Sequence, residues 1–188
     1  MNKTDEVLSV QDFDKRFTAL FNDTQFETLA TSPLPRIRLK MGSVSDPKRR
    51  RDQVVKRCLR VARYVLDNGP LWTRMTVWGE GCHTAFSELQ RCGLSFSPDV
   101  LMNDAADDSC VFVNHWKVFS ENAVSVPAFV IAGFDLGLDP HIDIKCYFVS
   151  FAHNVILNLY DDRGLDVVAL SPNLIKSVER EFSSLVVG

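Results

Sequence analysis

The chain lacks the short motifs that announce chemistry. Its four histidines, His83, His115, His141 and His153, lie far apart, and no HxxxH or HExxH pair sets two imidazoles on one helix face. It has no Gly-rich phosphate loop and no GxSxG elbow, and no pair of carboxylates stands out for general acid–base work. Nor does any apolar run approach the roughly 20 residues of a membrane span. The first ten residues, MNKTDEVLSV, carry no apolar signal core. Five cysteines make an odd count without framework spacing. Most sit in apolar runs and read as small core residues, a pattern that suits a reducing compartment. The expectation from these absences is a cytoplasmic protein without cofactor or metal.

What is present is an ordinary globular composition. The 188 residues, 46% of them hydrophobic, fit one domain spanning 1–188 and suffice to bury a core without staples. The net charge of −3 conceals an asymmetry. Residues 1–94 hold 16 Lys+Arg against 11 Asp+Glu (+5), and residues 95–188 hold 5 against 13 (−8). Such polarity marks either a charged partner surface or two halves that neutralise one another in the fold.

The element pattern is mixed. Ser9 caps a short helix whose Phe13, Phe17, Leu20 and Phe21 share a face. Arg36–Met41 alternates charged and apolar side chains, as a half-buried strand does. Asp46-Pro47 starts a helix that runs to about Leu66 or Asp67, with Val54, Cys58, Val61, Ala62 and Val65 on its apolar stripe. A strand over Leu71–Trp78 and a helix over His83–Cys92 follow. The segment Leu94–Asp108 reads as a polar surface loop and Val111–Phe119 as a strand. Val126–Ala132 is helix or strand by periodicity alone, and Ser171-Pro172 opens a terminal helix. Between these lie Cys146–Phe151, Val155–Tyr160 and Leu165–Ala169, three runs of β-branched and aromatic residues broken by short polar turns. They read as an antiparallel meander. The fold class expected is α+β: an antiparallel sheet ending in that meander, helices packed on one face, and a C-terminal helix.

The stretch from about Phe134 to Ser183 resembles the end of a bacterial family of uncharacterised small proteins. Those proteins carry a Tyr-Phe-hydrophobic run, a turn, and a strand closing on LYDDRG-hydrophobic-Asp, here Leu159 to Asp166. Phe182 and Leu185 stand where such proteins have a tryptophan-containing end. The resemblance favours a short helix at 126–132. It also implies the role of a small companion protein in a toxin locus: an immunity protein that neutralises a cognate toxin or effector by direct binding. The residues expected to meet that partner are Asp104, Asp107 and Asp108 in the polar loop and Asp161, Asp162, Arg163 and Asp166 at the turn. Trp116 or Trp78 would be an aromatic anchor.

Bland readings accompany each candidate. Asp favours turns through side-chain-to-backbone hydrogen bonds and Gly supplies positive φ, so 161–164 also reads as a purely structural turn. Mg²⁺ at the two adjacent aspartates is the weakest option, because they do not complete a ligand set. The helix residues 48–63 carry eight cations, which suits phosphate contacts, yet also suits a solvated helix meeting the acidic C-terminal half; nucleic acid is not the expected partner. Cys82, after Gly79-Glu80-Gly81, is a candidate thiol nucleophile at a helix N-terminus, with His115 or His141 as its base, or a structural turn residue.

Overall fold

The computed structural model describes residues 9–22, 24–67, 69–97, 99–104 and 108–187. Seven strands form one antiparallel sheet in the order β1-β7-β6-β5-β2-β4-β3. They are β1 (Arg36–Lys40), β2 (Leu71–Trp78), β3 (Leu101–Asp104), β4 (Ser109–Trp116), β5 (Ile144–Ser150), β6 (Val155–Leu159) and β7 (Gly164–Ala169). The helices are α1 (Val10–Leu20), α2 (Pro47–Leu66), α3 (Cys82–Arg91), α4 (Glu121–Asp135) and α5 (Pro172–Glu181). This is the expected α+β class, with its meander and terminal helix in place.

Strand alternation divides the core in two. On the first face, Met75, Phe112, Phe148, Leu157 and Val167 pack with the apolar stripes of α2, α3, α4 and α5. On the second, Val113, Tyr147, Val149, Ile156 and Val168 pack against α1 and the segment after it. Four helices thus share one face, and α1 adds a cover to part of the other. Its footing is aromatic: Phe17 stacks on Phe26 with centroids 3.8 Å apart, and Phe13 lies 5.4 Å from Trp72. Polar clamps close the edge of this cover. Arg74 of β2 donates to both oxygens of Asp14 (2.8 and 3.1 Å), and Tyr147 Oη donates to the Phe26 carbonyl at 2.9 Å.

Each helix start follows its local chemistry. Ser9 Oγ accepts from the Asp12 N–H and Asp46 from the Arg49 N–H, with Pro47 at the first turn of α2. Two departures from the sequence pattern stand out. The segment 94–108 contains β3, a four-residue edge strand paired only to β4. The apolar run at 126–132 lies inside a 15-residue helix, α4, rather than a short one.

Candidate functional site

The β6–β7 turn, the start of β5, the end of β2 and the start of β4 all lie at one end of the sheet, as the strand registers require. Most of the candidate acidic residues gather there, in two arrangements that differ chemically.

At the β6–β7 turn the carboxylates are consumed within the chain. Asp161, Asp162 and Asp166 are only 9%, 7% and 4% exposed. Asp161 Oδ1 accepts from the backbone N–H groups of Arg163 (2.7 Å) and Gly164 (2.9 Å), and its Oδ2 accepts from the Arg163 guanidinium. Asp162 pairs with Arg50 of α2, while its own N–H donates to Asp135 Oδ2 at 3.0 Å. Asp166 takes both arms of Arg38 from β1, at 2.9 and 3.2 Å. Tyr160 completes the motif by setting the phenol end of its ring against Gly164, where there is no room for a Cβ. Burial holds the Asp162 carboxyl above its ordinary range, an upward shift that the charge of Arg50 only partly offsets. Burial likewise raises Asp135, helped by the charges of Asp161 and Asp162 and opposed by the Asp162 N–H. The Arg163 side chain, three-quarters exposed, and the partly exposed Tyr160 face solvent from this turn.

Across the same end, the turn after β2 borders a cleft of about 750 Å³ between α3, the end of α4 and residues 139–143. Glu80, Asp139 and Asp143 line it, exposed, and make no ion pair within 4 Å among the described residues. Trp78 stands on its rim, 36% exposed, its backbone N–H donating to the Asp143 carbonyl at 3.1 Å. The exposed loop residue Asp108 abuts this turn, its carbonyl accepting from the Gly79 N–H at 3.1 Å. Asp104, also exposed, accepts from the Cys82 N–H at 3.2 Å. Asp107 lies outside the described residues. Of the two aromatic candidates, Trp116 is half-buried against the first core and Trp78 is the exposed one. Glu80, Asp139 and Asp143 were missed in the sequence because nothing local ties residue 80 to residues 139–143.

The cysteine expectations need correction. Cys82 and Cys110 are joined in a disulfide, their Cα atoms 5.1 Å apart. The bond links the first turn of α3 to the start of β4, a proximity that a sequence separation of 28 conceals. Cys82 is therefore no free thiol nucleophile. The Asp104 carboxylate lies within 4.8 Å of both sulfurs, which are spent on each other. His115 stacks on Trp72 at 4.2 Å and His141 on Phe134 at 4.6 Å. Cys58 is fully buried, and desolvation pushes its thiol up to about 12.

The basic helix is engaged with the acidic half of the chain. Besides Arg50, Arg60 donates to Glu181 at 3.0 Å and Arg63 pairs with Glu121. Arg57 donates to the Met41 carbonyl (2.8 Å) and Arg51 to that of Asp139 (2.7 Å), with the Arg51 guanidinium 3.8 Å over Phe129. Five of its eight cations thus tie α2 to other parts of the fold, three of them (Arg50, Arg60 and Arg63) through carboxylates of the acidic half.

Fold and site together define a small α+β protein whose exposed carboxylates and indole surround an open cleft. The chain belongs to the family described as Domain of unknown function (DUF3885), whose family model matches residues 13–187. No curated protein and no solved structure matches it. Among the described residues, no helix is long and apolar enough to cross a membrane.

Proposed function

We propose that this chain is an immunity (antitoxin-like) protein that neutralises a cognate bacterial toxin or effector by direct protein–protein contact. The observation that carries the reading is the cleft: Glu80, Asp139 and Asp143, unpaired and exposed, beside the exposed Trp78. Unpaired carboxylates beside an exposed indole form the kind of surface that steers a basic partner and then anchors it. Asp104 and Asp108 extend the acidic surface along the adjoining loop. In this reading Asp161, Asp162 and Asp166 act one step back. Held by Arg163, Arg50 and Arg38, they fix the sheet end on which the surface is displayed.

Co-expression of the tagged chain with the neighbouring genes of its locus, followed by pull-down, tests the proposal. The expected result is a one-to-one complex with a neighbour that is toxic alone and harmless together with this chain. A folded, monodisperse protein that retains no neighbour and relieves no toxicity contradicts it. The Cys82 enzyme and a nucleic-acid module on residues 48–63 receive no support from the disulfide and the engaged arginines.

A further inference from the structure

α1 covers only part of the second sheet face, and the uncovered part is concave. Phe26, Arg74, Thr76, Trp78, Lys145 and Tyr147 line a pocket of about 300 Å³. It adjoins a groove of about 520 Å³ between α1 and residues 25–27, since Phe26 and Glu27 border both. The volume is at the small end of the roughly 300–1,000 Å³ typical of ligand pockets.

The floor of the pocket carries one cation without a counter-ion. Arg74 is satisfied by its two bonds to Asp14. Lys145 is half-buried, its ammonium 5.2 Å over the Tyr147 ring, and makes no ion pair within 4 Å among the described residues. Burial lowers the proton affinity of Lys145, partly offset by the charge of Glu27 and reinforced by that of Arg74. A desolvated ammonium gains most from an anion that enters the same low-dielectric space. The walls are apolar and aromatic, from Phe26, Val111 and Trp78, and the Thr76 hydroxyl lies on the strand beside Lys145 in register. Glu27 is exposed at the mouth, where water screens it.

We infer that the uncovered half of the second sheet face is a binding site for a small carboxylate with an apolar or aromatic body, with Lys145 as its counter-ion. The carboxylate meets the Lys145 ammonium and the Thr76 hydroxyl, and the body lies between Trp78 and Phe26. The inference does not depend on the immunity reading, because it concerns the isolated chain.

Titration of the ¹⁵N-labelled full chain with 3-phenylpropionate, and with its neutral amide as the matched control, tests it. The expected result is amide shifts centred on Thr76, Trp78 and Lys145, with the carboxylate bound at least about tenfold more tightly than the amide. Lys145→Met, in a protein whose spectrum remains folded, should remove that preference. Glu27→Gln, an exposed change, should tighten the carboxylate by relieving repulsion at the mouth. Equal binding of acid and amide, shifts confined to another surface, or no shift at about 10 mM probe, a concentration that would reveal even very weak binding, overturns the inference. So does a weaker carboxylate in Glu27→Gln, which would show that the anion does not sit beside Glu27 and Lys145 as inferred.

Discussion

Two acidic regions share one end of the sheet and use their carboxylates in opposite ways. At 161–166 the oxygens are buried and turned inward, each set matched by an arginine or by backbone N–H groups. Around the cleft at residues 78–80 and 139–143, carboxylates of the same chemistry point outward with no cation within 4 Å among the described residues. The difference lies in what the fold brings up behind them. The turn is backed by β1 and by the first turns of α2, which deliver Arg38 and Arg50. A conspicuous acidic motif can therefore be a folding device, while the exposed acidic surface is built from residues scattered along the chain.

The largest effects should come from breaking the inward set. Asp162→Ala strands Arg50, whose side chain is only a quarter exposed. It should cost about 3 kcal/mol, the usual result of removing one member of a mostly buried pair. Gly42→Ala should weaken the same contact, because a Cβ there would lie 2.5 Å from the Asp162 carbonyl oxygen. Urea unfolding of both variants checks this, and native-like midpoints would show the turn to be dispensable.

Asp161→Ala comes next. It removes the acceptor for two N–H groups, of which that of Gly164 is buried, and should cost about 2 kcal/mol. The contrasting double substitution Glu80→Gln with Asp143→Asn should change stability by less than about 0.5 kcal/mol, as surface changes do. In a complex with a basic partner it should slow association about tenfold at low salt, with the difference shrinking as salt rises. Stopped-flow association at two ionic strengths measures both.

A smaller effect sharpens the comparison through pH. Burial raises the Asp135 carboxyl in the folded state, so its ionised form opposes folding at neutral pH. That penalty is present above the folded pKa, fades as pH falls through it, and vanishes below the unfolded value of about 4. Asp135→Asn should therefore raise the melting temperature slightly at pH 7, and the gain should disappear towards pH 4. A gain that grows on acidification contradicts the assignment. Smallest of all, Asn158 is 7% exposed on the second face with its Oδ1 unpartnered. Asn158→Val should be neutral or mildly stabilising in the same melting assay, because it removes an unsatisfied buried acceptor.

The regular elements were legible where pattern and punctuation agree. Asp46-Pro47 gave the start of α2, and the three runs between polar breaks gave the meander. β3 was not legible, since Leu101–Asp104 is short, polar at its end and paired on one side only. α4 was half legible, because a helix buried nearly all round loses the 3.6-residue period. At the site, Asp161 could be read locally as a turn residue, because its partners are two and three residues away. The role of Asp166 could not, because Arg38 lies 128 residues distant in sequence. Cys82 and Cys110 show the same limit, as do Glu80 and Asp143, which meet only after β2 and β5 have paired.

The central claim is that the outward carboxylates bind the partner and the inward ones hold the fold. Calorimetric titration of the co-purifying partner into the Glu80→Gln, Asp143→Asn variant, beside the unaltered chain, tests it most directly. The account predicts a variant with an unchanged melting temperature and an affinity lowered about tenfold or more. Undiminished affinity in that variant would contradict it.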